Sequence, residues 1–125
     1  MRNKNFINLL LIIILNLIIV NCKKENQLLK LTTNAVTNIH PFSALCGGII
    51  TSNGSSEITS QGVCWSTNPS PTINDNKTTY DLGMNSFTSK LTNLDSKKTY
   101  YVRAYAINSV GISYGDNVSF VTLPA

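Results

Sequence analysis

The stretch Leu94-Asp-Ser-Lys-Lys-Thr-Tyr100-Tyr-Val102-Arg-Ala104-Tyr-Ala106-Ile-Asn108-Ser-Val-Gly111 decides the fold. Successive side chains of an extended strand point to opposite faces, so Tyr100, Val102, Ala104 and Ala106 share one face, and that face is apolar. A buried tyrosine at the start of such a strand can return its hydroxyl to the corner backbone just upstream, the tyrosine-corner device of two-sheet sandwiches. Small Ala104 and Ala106 leave space for bulky residues from a facing sheet. Asn108 tolerates the backbone turn that Gly111 completes.

Outward from this stretch the same texture continues. Short runs rich in Thr, Val, Ile, Tyr and Phe alternate with clusters of Asn, Gly, Ser, Pro and Asp, and no window carries the i, i+3, i+4, i+7 spacing of an amphipathic helix. Turn signals fall at Ser52-Asn53-Gly54, Asn68-Pro69-Ser70-Pro71, Asn74-Asp75-Asn76, Asn93-Leu94-Asp95-Ser96 and Ser109-Val110-Gly111. This pattern predicts an all-β domain with seven strands near 31–38, 43–51, 58–67, 77–82, 86–92, 99–108 and 116–123. Pro69 and Pro71 deny ladder donors, so their segment is a crossing loop or an edge. No internal repeat divides these residues, and one domain over 30–125 is expected.

Leu94 to Gly111 resembles the E–F corner and strand F of fibronectin type III domains, in which Leu, five residues and then Tyr-x-Val-x-Val-x-Ala-x-Asn lead to Gly. A second stretch, Ala44-Leu-Cys46-Gly47-Gly48-Ile-Ile50-Thr-Ser-Asn53-Gly54 followed by Ile58-Thr-Ser-Gln-Gly62-Val63-Cys64-Trp65-Ser66, is similar to a variety of these modules found in secreted and surface lipoproteins of Bacteroidota. Asp81-Leu-Gly83, Ser86-Phe87 and Val118-Ser-Phe120 complete the likeness. The resemblance implies an immunoglobulin-like two-sheet sandwich in which Trp65, Leu94, Tyr100, Val102, Ala104 and Ala106 are structural. It implies very little about activity.

The N-terminus has another character. Arg2 to Asn5 is a short basic region, and Phe6 to Val20 is an apolar run interrupted only by Asn8 and Asn16. A spanning helix needs roughly 20 apolar residues, so this shorter run reads as a secretory signal over 1–21. Ile19-Val20-Asn21-Cys22 resembles a bacterial lipobox, with Asn21 standing where Ala, Gly or Ser is usual. That resemblance implies lipidation of the Cys22 thiol and cleavage before it. Residues 22–29 are then the lipidated cysteine and a short tether. Several acyl chains on one residue make a stable anchor. Lys23, not Asp, follows Cys22, so the inner-membrane retention signal is absent. The expected location is the cell envelope at the outer membrane, facing the periplasm or the cell surface.

Charge narrows the partners. The chain has 10 basic and 6 acidic residues and a net charge of +4; without Arg2 and Lys4 of the signal, 8 basic residues face 6 acidic ones. Apart from the Lys23-Lys24 and Lys97-Lys98 doublets the basic residues are scattered, whereas phosphate binding needs them clustered, so nucleic acid is not an expected partner. The expected partners are the membrane, through the anchor, and an envelope protein or polysaccharide.

No residues assemble into catalytic machinery. His40 is the single histidine, precedes Pro41 and falls between the first two strands, where a lone imidazole is ordinarily solvated. Any Ser-His-Asp or Cys-His arrangement would rest on it alone. Asp75, Asp81, Asp95 and Asp116 are isolated at turns, where Asp side chains bond nearby amides. No catalytic residue, metal site or cofactor is expected. Export permits disulfides, but Cys46 shares the inward parity of Ala44 and Ile50 while Cys64 opposes Val63 and Trp65. Two free thiols follow.

One stripe remains. Tyr101, Arg103 and Tyr105 alternate with the core face of their strand and are expected on the outside of one sheet. Tyrosines flanking an arginine can stack on sugar rings or anchor a protein; the same residues also serve as ordinary cross-strand pairs. The leading expectation is a non-catalytic, lipid-anchored module for protein or glycan interaction. The alternative is a dedicated carbohydrate-binding outer-membrane lipoprotein using the exposed tyrosines.

Overall fold

A computed structural model describes residues 29–54 and 56–125. The signal segment, Cys22 and its tether up to position 28 lie outside the described residues. The strands are β1 (Lys30–Thr33), β2 (Ala44–Ser52), β3 (Ser60–Ser66), β4 (Asn76–Lys77), β5 (Ser86–Leu91), β6 (Thr99–Ile107), β7 (Ile112–Tyr114) and β8 (Val118–Val121). They form two antiparallel sheets, one in the order β1-β2-β5 and the other β4-β3-β6-β7, with β8 also on β6.

The core lies between the sheets and is built by period 2. Val63 and Trp65 of β3, Tyr100, Val102, Ala104 and Ala106 of β6, Ala44, Cys46 and Ile50 of β2, and Phe87 and Leu91 of β5 are all buried, with Leu94 and Phe120 closing one end. Ala104 was expected to leave room for a bulky residue. Instead the backbone of β2 comes close: a Cβ built on Gly48 would lie 2.6 Å from the Ala104 Cβ and 2.8 Å from the Thr32 carbonyl oxygen. Glycine and alanine together bring the sheets into contact, and the Phe87 ring fills the adjoining space.

The corner before β6 forms as the sequence predicts. The Asp95 amide donates to the Tyr100 hydroxyl at 2.8 Å, and the Tyr100 ring stacks on Phe120 with centroids 5.9 Å apart. Thr122 clamps the same corner, donating its hydroxyl to the Asp95 carbonyl at 2.6 Å while accepting from the Lys98 amide at 2.9 Å.

Three strand expectations need correction. The last strand, read as 116–123, shortens to β8, and a strand that the reading lacks, β7, precedes it on the same partner. Tyr105 pairs with Tyr114 and Val102 with Val118, so three steps along β6 answer four along its partner. The extra residue is absorbed at Gly115-Asp116-Asn117, as in a β-bulge. Gly115 is needed there because a Cβ would meet Thr33 at 2.5 Å. The strand expected at 77–82 is reduced to β4, although bonds from the Thr78 amide to the Val63 carbonyl and from Tyr80 to Gln61 carry the chain farther along β3. The first strand ends at Thr33 and is followed only by a single bridge, Thr37 to Leu45, before Asn38 turns the chain at φ 48°.

Candidate functional site

The outer face of β6 is the first place to look, because it holds Tyr101, Arg103 and Tyr105. All three project to that side, but the loop from Thr67 to Asp75 crosses over it. Tyr105 is 0% exposed, and its hydroxyl donates to the Thr78 carbonyl at 2.7 Å. The expectation of an exposed tyrosine at this position is therefore wrong: the chain leaving β4 lies across the ring. Arg103 is half-buried and spent on the loop, its Nε and Nη2 donating to the Pro71 carbonyl at 2.9 and 2.6 Å. Its guanidinium lies 4.0 Å from the centroid of the Tyr114 ring. Tyr114 in turn accepts from the Ile73 amide at 3.1 Å. Only Tyr101, half-buried, keeps part of its ring toward solvent.

Neither of the two described cysteines, Cys46 and Cys64, is cross-linked. Cys46 sits in the core, and Cys64 is buried on the opposite side of its sheet, its sulfur 3.5 Å from the Pro71 carbonyl oxygen. Burial pushes both thiols up to about 11; at Cys64 the Arg103 charge opposes this. Neutral buried thiols are poor nucleophiles. His40 is exposed. Among the described residues no group of three or more His, Cys, Asp or Glu is placed to hold a metal ion.

A concavity lies elsewhere, at the end of the sandwich where β2 passes to β3 and the chain turns into β5. It has a volume of about 820 Å³ and is lined by Asn53, Glu57–Thr59, Gln61 and Leu82–Asn85. Leu82 and Met84 are each 52% exposed on its wall. At its floor Gln61 is fully buried and donates its Nε2 to the Met84 carbonyl at 2.8 Å, while its Oε1 has no partner among the described residues. A buried acceptor left unmatched costs about 1–3 kcal/mol. Gln61 was missed in the sequence, yet a signal was there. It has the parity of Val63 and Trp65, so a polar side chain was bound for an apolar face. The apolar pair in the Leu82-Gly83-Met84 turn is the other signal.

No family model matches the chain, and comparison with curated proteins finds no match. Solved structures do share its architecture. The sixth fibronectin type III domain of human fibronectin type III domain containing protein 3 aligns with a TM-score of 0.51 at 22% identity, covering 75% of this chain and 83% of that one. The sensor domain of an anti-sigma factor from Pseudobacteroides cellulosolvens aligns with a TM-score of 0.54 at 13% identity, covering 78% and 96%. A segment of titin aligns with a TM-score of 0.52 at 18% identity over 72% of this chain, which spans 30% of that segment. The fold is thus an immunoglobulin-like sandwich of the fibronectin type III kind.

Proposed function

We propose that this fibronectin type III-like sandwich is a non-catalytic interaction module of the bacterial cell envelope, held at the outer membrane by lipid on Cys22 and engaging another envelope protein. The observation that carries the interaction role is the open concavity at the β2–β3 end, with two exposed apolar side chains on its wall and an unmatched acceptor at its floor. Exposed apolar groups beside unsatisfied polar ones are what a binding site has before its ligand arrives. That a sensor domain shares the fold supports a recognition role. The glycan reading is weaker, because burial of Tyr105 leaves Tyr101 as the one tyrosine of the β6 stripe with a ring open to solvent.

The anchor rests on the apolar run and the lipobox-like Ile19-Val20-Asn21-Cys22. Its test is Cys22→Ser in the expressed full chain. Loss of labelled palmitate and release from the membrane fraction are expected; unchanged membrane association would refute the anchor. Cross-linking on intact cells tests the interaction role. A defined envelope protein captured by the wild type and lost on substituting Leu82 and Met84 by Ser supports it, and capture unaffected by those changes overturns it.

A further inference from the structure

The chemistry of the concavity narrows the partner. Among the described residues that line it Glu57 is the only charged one and none is Lys or Arg, and Asp81 immediately precedes the lining segment. Gln61 Oε1 can only accept a hydrogen bond, so the group that satisfies it must donate. Ile58, Leu82 and Met84 supply an aliphatic wall, and no aromatic side chain is present on which a sugar ring would stack. A long aliphatic stem ending in a positively charged donor matches all three features, and among protein side chains that is Lys or Arg.

We propose that the concavity receives a lysine or arginine side chain from a partner polypeptide, the stem lying along Leu82 and Met84 and the cationic head meeting Glu57 and Gln61 Oε1. The floor amide is reached when the 82–85 turn yields and releases the bond from Gln61 to the Met84 carbonyl. The inference rests on the reading of the chain as a protein-interaction module and names the chemistry of its partner.

The test uses the full ¹⁵N-labelled chain in mild detergent, titrated with acetyl-Leu-Arg-Leu-amide and, separately, with acetyl-Leu-Glu-Leu-amide. The arginine peptide should give saturable amide shifts confined to 53–61 and 82–85, and the glutamate peptide none. Glu57→Gln, at an exposed position, should weaken the arginine peptide by roughly threefold to fivefold, the worth of one solvent-accessible ion pair. Met84→Ser should weaken it as well. Absence of saturable shifts, shifts centred elsewhere, equal response to both peptides, or indifference to Glu57→Gln overturns the proposal. Such a failure leaves the cross-linking result untouched, so the partner chemistry and the interaction role stand or fall separately.

Discussion

Arg103 holds Pro71 by its carbonyl, with Nε at 2.9 Å and Nη2 at 2.6 Å, and this fork fastens the 67–75 loop over the outer face of β6. Beneath the same carbonyl, 3.5 Å away, lies the Cys64 sulfur. The arginine therefore acts as a latch on a cover, and the thiol reports whether the cover is shut. Arg103→Ala removes these two bonds, a third from Nη2 to the Ser70 carbonyl at 3.4 Å, and the cation–π contact with Tyr114. A loss of stability on the order of 1–3 kcal/mol is expected, because bonds from a charged donor are worth more than neutral ones. Iodoacetamide should alkylate Cys64 faster in this variant with the rate at Cys46 little changed, read by peptide mass spectrometry. Equal acceleration at both sites would show general loosening instead of a local latch.

The two thiols also set a pH dependence. Each is raised by burial from 9.0 to about 11 in the folded chain. Between those values the unfolded chain loses protons that the folded chain keeps, so alkali favours unfolding. The contribution is complete below about 9 and is lost as pH rises toward about 11. Replacing both cysteines, Cys46→Ala and Cys64→Ala, should flatten the fall in thermal midpoint between pH 8.5 and 10.5, a window chosen around the 9.0 reference value. An unchanged slope would assign the alkaline loss to other groups.

What could be read from the chain and what could not follows from which interactions decide each part. Tyr100 to Ala106 is legible because strand alternation and burial of one face are local and periodic, and its corner bond lies only five positions away. The outer face failed at Tyr105 because the chain at Thr78 lies against it, a cover no local pattern records. The break between β7 and β8 was hidden for the same reason: Gly115 is required by Thr33, far away in sequence. The concavity needed two loops to meet. Its one legible mark was a glutamine on an apolar face.

Tyr100→Phe tests the local part. The Asp95 amide loses its acceptor while the ring keeps its stack on Phe120. A cost of about 0.5–1.5 kcal/mol in chemical denaturation is expected, the net value of a single hydrogen bond. A null effect would mean that the Thr122 clamp on the same corner is sufficient without it.

Gly48→Ala tests the close approach of the two sheets. The added methyl would lie 2.6 Å from the Ala104 Cβ, 2.8 Å from the Thr32 carbonyl oxygen and 3.1 Å from the Phe87 Cζ. Two of these neighbours are backbone or a Cβ, which yield only if a strand moves, so overpacking should cost about 1–3 kcal/mol. Adding Ala104→Gly removes the nearest of the three obstacles and leaves the Thr32 carbonyl in place. The double variant should therefore be less destabilised than the sum of the single changes, with a coupling of about 0.5–3 kcal/mol as found for residues in contact. Strict additivity in urea denaturation would mean that Ala104 is not what the new methyl meets, and that the obstacle is the Thr32 carbonyl of the neighbouring strand in the same sheet.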